Sequence, residues 1–248
     1  MQRARLTRYG LLSVTGPDAR AFLHAQLTND IENLAADRWM LAGWCSAKGR
    51  LLATFVVVPS PGGFLLQLAH DLAEPVAKRL GMYVLRSKVK VADESERWAQ
   101  FGLWDADLAG PDVAWQGNVV TVRVGEQRFL QLGAAAELAA PANADEVQWT
   151  LQEIRAGRPL ITRATQDQFV PQMVNFETIG GVDFRKGCYP GQEIVARAQY
   201  RGQVKRRMVH ARAPAGVTLA PGQEYNGGTV VDVAPTENGA ELLAVVPV

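Results

Sequence analysis

The chain has 248 residues, of which 48% are hydrophobic and 21% charged, enough apolar material for one large domain or two smaller ones. Its formal net charge of +1 gives no whole-molecule reason to expect nucleic acid or a membrane surface as partner. Any such case must rest on a local patch.

Residues 1–10 are basic, but the apolar stretch after them is short and broken by Gly16-Pro17-Asp18, so no secretory signal is expected. No apolar run reaches the length of a membrane span. Cys45 and Cys188, the two cysteines, lie far apart, and His24, His70 and His210 are scattered. Neither a disulfide framework nor a metal centre held by this chain alone is expected, and no metal ligand is assigned. The expectation is a soluble, cytoplasmic protein without a membrane partner.

In chain order, residues 9–14 read as a strand. Gly16-Pro17-Asp18 starts a helix whose Phe22, Leu23 and Leu27 recur at helical spacing. Residues 39–47 and 50–58 predict two strands joined at Lys48-Gly49, Pro61-Gly62-Gly63 a turn, and residues 64–69 another strand. The spacing over 72–85 predicts a helix with Asp71 as its cap. Residues 89–92 form a short strand, and 98–133 are β, with a hairpin over 113–124 around Gln116-Gly117-Asn118 and a strand at 129–132. Residues 134–143, rich in Ala and Pro, read as a connector. A helix over 145–156 buries Trp149, Leu151 and Ile154 and stops at Gly157.

Residues 157–189 have little periodicity, and so long a loop inside a compact domain is more often functional than accidental. A helix is predicted over 190–200. From Gln203 onward short strands alternate with turns at 213–216, 221–222 and 226–228, which predicts a small terminal barrel or sandwich. Antiparallel hairpins mixed with few helices predict an α+β fold.

The stretch Arg185-Lys186-Gly187-Cys188-Tyr189-Pro190-Gly191-Gln192-Glu193 stands out. Two cations precede the thiol and a helix begins beside it, and both favour thiolate. Gly187 and Gly191 allow sharp turns and close approach of a ligand. The other reading makes Cys188 a small apolar filler and the glycines plain turn formers. The glycine frame and the flanking charges favour a functional thiol.

KGCYPGQE resembles the signature of the YgfZ-type folate-binding proteins, relatives of the aminomethyltransferase (T-protein) of the glycine cleavage system. Weaker resemblances run in the same order along most of the chain: Phe22-Leu23-His24-Ala25-Gln26-Leu27-Thr28-Asn29-Asp30, Trp44-Cys45-Ser46-Ala47-Lys48-Gly49-Arg50, Gly157-Arg158-Pro159-Leu160-Ile161 and Phe169-Val170-Pro171-Gln172-Met173-Val174-Asn175. The resemblance implies a ring-like body of mixed antiparallel sheets and helices around a central cavity that binds tetrahydrofolate or a one-carbon derivative. It implies a body in two parts, residues 1–95 and 96–202, and a C-terminal β-barrel, 203–248. It also implies a role in maturing or repairing iron–sulfur clusters, with client or assembly proteins as partners and tRNA-modifying enzymes among the clients.

In the aminomethyltransferases an aspartate pair follows the glycine of the hairpin and serves the folate chemistry. Here the matching stretch is Gly49-Arg50-Leu51-Leu52-Ala53-Thr54, without a carboxylate. The sequence thus departs from the enzyme pattern where charge stabilisation at the folate nitrogen is needed. A folate offers a pterin edge, an aromatic ring and an acidic tail. Polar candidates for it are Asn29, Asp30, Asn175, Glu177 and Gln192, with Met173 and Tyr189 as wall and Arg86, Lys48 and Arg50 as tail contacts. Asp30 reads equally as a helix-end turn residue.

Arg197, Arg201, Lys205, Arg206 and Arg207 follow with few acids among them. They read either as a solvated face or as a contact for RNA or an acidic protein, and the scarcity of aromatics gives no specific indication of nucleic acid. Three functions follow, in order: a folate-dependent accessory protein using Cys188, a one-carbon transferase in which another acid replaces the missing pair, and a docking module using the basic patch.

Overall fold

The computed structural model describes residues 1–138 and 140–248. The fold comprises two compact units, each drawn from separated segments. Met1–Leu23, Ile31–Met40 and Phe55–Trp149 form the first, and His24–Asp30, Leu41–Thr54 and Thr150–Val248 the second.

In the chain's first half, strands β1 (Gln2–Arg5) and β2 (Tyr9–Thr15) lead into helix α1 (Ala19–Gln26). Strands β3 (Met40–Cys45), β4 (Leu51–Ser60) and β5 (Gly63–Ala69) precede α2 (His70–Gly81) and β6 (Lys90–Asp93). Strands β2 to β6 give one sheet of order β3-β4-β5-β2-β6. Its inner strands read as near-continuous apolar runs because they are buried on both faces: in β4 only Val56 and Ser60 are even partly exposed. β4 starts in the second unit and from Val56 onward pairs β5 in the first, Val57 opposite Leu66.

Strands β7 (Trp98–Trp104), β8 (Val113–Gln116), β9 (Val119–Gly125) and β10 (Arg128–Ala134) follow. With β1 they form an antiparallel sheet of order β1-β7-β10-β9-β8. Its core of Ala99, Phe101, Leu103 and Phe129 lies in the first unit. Gly102 is required there, since a Cβ at that position would fall inside the Trp149 ring. Between the sheets, Gln67 Nε2 donates to Gln100 Oε1 at 2.8 Å and Gln100 Nε2 to the Tyr9 carbonyl at 2.9 Å, which satisfies two buried amides.

Helix α3 (Glu146–Arg155) opens the path to the long irregular segment, whose one regular turn is a 3₁₀ helix at Pro171–Val174. Helix α4 (Gln192–Tyr200) precedes β11 (Arg206–Pro214), β12 (Glu224–Tyr225), β13 (Gly228–Thr236) and β14 (Gly239–Pro247). These last strands form an antiparallel sheet of order β11-β14-β13-β12 around Ala213, Val230, Ala240, Leu242 and Ala244. Glu241 of β14 ties it to α3: Arg155 donates to both its oxygens at 2.7 and 3.0 Å, and His210 Nε2 lies 2.9 Å away. The Arg155 hydrogen bonds, aided by His210, hold the Glu241 carboxyl down at about 2.

Several expectations need correction. Asp71 does not cap α2; Ala69 occupies the N-cap with no side-chain hydrogen bond, and Asp71 sits in the first turn. The helix stops at Gly81, because the N–H groups of residues 82–84 turn back to carbonyls three residues earlier. Leu151 is only partly buried, and Glu153 is buried on that helix. The connector 134–143 includes Ala139, which lies outside the described residues. Among the described residues no helix is long and apolar enough to cross a membrane.

Candidate functional site

Two pieces of the second unit make the site: the β3–β4 turn and the loop around Cys188. The turn closes with the Ser46 N–H on the Arg50 carbonyl and the Gly49 N–H on the Ser46 carbonyl, both at 2.8 Å. Gly49 and Gly191 have φ of 67° and 77°, where a side chain is strained. They also touch. A Cβ on Gly191 would overlap the Ser46 carbonyl and lie 2.6 Å from Gly49 Cα, and one on Gly49 would lie 2.8 Å from Ile194 Cβ. Gly191 therefore locks the signature loop onto the hairpin. Gly187, by contrast, has ordinary backbone, and a Cβ there would meet only His24 Nε2, at 3.7 Å.

Lys186 supplies the second anchor. It is buried, and its ammonium donates to the carbonyls of His24 and Leu27, the latter at 2.9 Å. These carbonyls belong to the C-terminal end of α1, which has no further helical N–H to offer and favours a cation. The Tyr189 ring centroid lies 4.9 Å from Lys186 Nζ and adds a cation–π contact. Burial pushes the ammonium down to about 8, opposed by the charges of Asp30, Asp183 and Cys188. Lys186 is thus a structural bolt as well as a charge near the thiol. Burial also pushes the Tyr189 hydroxyl up, so it stays neutral.

Cys188 is exposed, which removes the filler reading, and Cys45 is the buried cysteine. Burial, reinforced by Asp167, pushes the Cys45 thiol up to about 12. Access to a thiol-reactive partner therefore belongs to Cys188.

The helix after Cys188 starts two residues later than expected. Gly191 is its N-cap and Gln192 its first residue. Gln192 N–H turns back to the Tyr189 carbonyl at 3.2 Å, and the Ile194 and Val195 N–H groups both go to the Gly191 carbonyl. Those donors are used within the loop instead of facing the thiol. Glu193 is exposed in the first turn, and Gln192 Nε2 reaches the Lys186 carbonyl at 3.5 Å.

The polar candidates divide. Asn29 is buried, with its amide donating to the carbonyls of Leu41 and Gly180 at 2.7 Å each and its oxygen accepting the Asp30 N–H at 2.9 Å. Asn175 donates to the Met208 carbonyl at 2.7 Å and accepts from Arg207 at 3.3 Å. Arg207, read in the sequence as part of a surface patch, points inward to Asn175, to the Gln172 carbonyl at 2.8 Å and to Glu177 Oε1. Glu177 Oε2 remains buried without a hydrogen-bond partner, as does Gln172 Oε1. Asp30 is partly exposed, with its Oδ1 3.2 Å from His24 Nδ1, and Met173 is partly exposed. Arg86 is exposed and belongs to the first unit. Of the basic patch, Arg197, Arg201 and Lys205 are exposed, whereas Arg206 is partly buried and donates to the Gly227 carbonyl at 2.6 Å.

One residue at the hairpin escaped sequence reading. Asp167, with φ of 58°, accepts from Ser46 Oγ at 2.7 Å, and its carbonyl accepts from Arg50 at 3.3 Å. The hairpin lacks a carboxylate in sequence but has one beside it in space. The only local hint was an Asp in a non-periodic loop, which is compatible with a left-handed residue.

No family model matches the chain. The glycine cleavage system aminomethyltransferase T from Bartonella henselae shares the fold, with a TM-score of 0.73 over 99% of this chain and 78% of that one at 17% identity. The tRNA-modifying protein YgfZ of Serratia proteamaculans is 31% identical over 97% of this chain and 82% of its own length. The protein of the same name from Escherichia coli (strain K12 / DH10B) is 30% identical over 97% of this chain and 83% of its own. With such similarity along nearly the full length, and the Cys188 loop seated on the hairpin, the chain belongs to the YgfZ family.

Proposed function

We propose that this protein is a tetrahydrofolate-binding accessory factor for iron–sulfur cluster biogenesis or repair, and through it for cluster-dependent enzymes including those that modify tRNA. The observation that carries the reading is an exposed Cys188 on a loop bolted by Lys186 and Gly191 to a hairpin with no carboxylate after Gly49. A rigid mount with an accessible thiol suits exchange with a client, and the missing acids remove a feature that a transferase needs. A ring-like body with a central cavity, a barrel over 203–248 and a cytoplasmic setting belong to the same proposal.

The residues fit a folate in part. Glu177 Oε2 is a buried acceptor lacking a donor, and the N–H edge of a pterin would satisfy it. Asp30 and the partly exposed Met173 supply a second carboxylate and an apolar wall. Asn29 and Asn175 hold the loops in place, because their amides are already used. Bound tetrahydrofolate would supply one-carbon chemistry, and this chain's part is to orient the ligand and present the thiol.

Replacing wild type with Cys188→Ser in cells under oxidative stress is expected to lower the activity of iron–sulfur enzymes several-fold at unchanged protein level. Full activity would remove Cys188 from the mechanism. A second reading, a one-carbon transferase, is favoured by Asp167 beside Ser46 as a substitute acid. It requires turnover of a methylene- or aminomethyl-folate by the purified protein that Asp167→Asn abolishes. Binding without turnover would exclude it.

A further inference from the structure

The first unit carries a cavity of about 460 Å³ to which no role has been given. That size lies in the range of small-molecule sites. Two tryptophans form its walls, Trp98 at the start of β7 and Trp115 in β8. Their rings stand nearly perpendicular, at 86°, with centroids 6.4 Å apart. Trp115 is fixed by its indole N–H on the Pro59 carbonyl at 3.1 Å. One ring can stack on a planar ligand while the other closes its side.

Glu94 lies in the same lining, on the turn between β6 and β7. Its backbone is fixed, with the N–H on the Leu11 carbonyl at 2.8 Å and the carbonyl accepting from Arg97 and Trp98. Its side chain is only 14% exposed. Oε1 accepts from Ser13 Oγ at 3.1 Å. Oε2 is buried and makes no hydrogen bond; Arg97 Nη1 lies 3.2 Å away, but its N–H is misdirected. A buried carboxylate oxygen with a neighbouring charge and no donor is a costly arrangement that a ligand donor would relieve. The Arg97 side chain is 79% exposed, so it can turn toward an anionic group at the cavity mouth.

These features select a ligand class. A cationic ligand would meet Arg97 beside its carboxylate. A neutral planar ring with two adjacent N–H donors suits Glu94, since each carboxylate oxygen can accept more than one hydrogen bond. Guanine presents such an edge at N1 and its exocyclic amine. Adenine sets an acceptor beside its amine and would face the carboxylate lone pair to lone pair. We infer that the cavity formed by Trp98, Trp115 and Glu94 binds a guanine base, with Arg97 meeting its phosphate. The base can come from a free nucleotide or from single-stranded RNA.

The test is tryptophan fluorescence titration of the full chain with GMP, guanosine, AMP and short single-stranded RNAs with and without guanine. GMP should quench saturably and AMP at least tenfold more weakly. Glu94→Gln, which keeps shape and the Ser13 contact, should weaken GMP at least tenfold without changing thermal unfolding. Arg97→Ala, at an exposed position, should erase the preference for GMP over guanosine. Tighter binding of guanine-containing RNA than of GMP would assign RNA as the source, and equal or weaker binding the free nucleotide. Absence of saturable quenching by GMP and by guanine-containing RNA, equal affinity for AMP, or full affinity in Glu94→Gln would overturn the inference.

Discussion

Lys186 shows how one side chain joins stability to the site. Its ammonium is buried at the end of α1 and pushed down to about 8, chiefly by burial, from the usual lysine value of 10.5. Between those values the unfolded chain binds the proton more strongly than the native one, so the Lys186 contribution makes stability rise with pH across that window. Below it the burial penalty is fully present. Lys186→Met, similar in length and uncharged, is therefore expected to flatten the rise in unfolding midpoint between pH 7.5 and 9.5, measured by urea denaturation. An unchanged slope would mean that the lysine is not buried as a cation. The importance of the Cys188 neighbourhood was legible in the sequence, because glycines and cations cluster around a lone thiol. The role of Lys186 was not, since its acceptors His24 and Leu27 lie some 160 positions earlier. Local pattern made it a charge beside the thiol, and tertiary contact makes it an anchor as well. Asp167 was hidden for the same reason, because its partner Ser46 is 121 positions away.

At the scale of elements, periodicity and turn chemistry carried most strands. The β3–β4 and β8–β9 hairpins turn at Gly49 and Gly117, both at positive φ, as do Gly216, Gly222 and Gly227 in the C-terminal sheet. Helix ends were harder. Proline is well suited to the first helical position, which placed the start of α4 at Pro190, but the left-handed Gly191 interrupts the helix there. That conformation serves the packing of α4 on the β3–β4 turn. Gly191→Ala should cost about 1–2 kcal/mol from backbone conformation alone, and more from the overlap with Ser46. In a chain of this size that lowers the melting temperature by at least about 2 °C. Gly187→Ala, at ordinary φ with open space, should stay within about 0.5 kcal/mol. Equal effects of the two in thermal unfolding would contradict the assigned packing.

For the whole molecule, the α+β class and its antiparallel sheets followed from hairpin spacing. The way the chain passes back and forth between two units did not, because nothing local marks residues 24–30 or 41–54 as belonging with the C-terminal half. That arrangement gathers the site, since it places the end of α1, the β3–β4 turn and the Cys188 loop in one unit. The fold is shared with an aminomethyltransferase, while the hairpin of this chain has no carboxylate directly after Gly49. Ligand recognition without the transfer reaction is the reading that joins these two facts. Its most direct test is calorimetric titration of the reduced protein with tetrahydrofolate. The account predicts one saturable site per chain, weakened at least tenfold by Glu177→Gln. No saturable binding, or binding indifferent to Glu177, would contradict it.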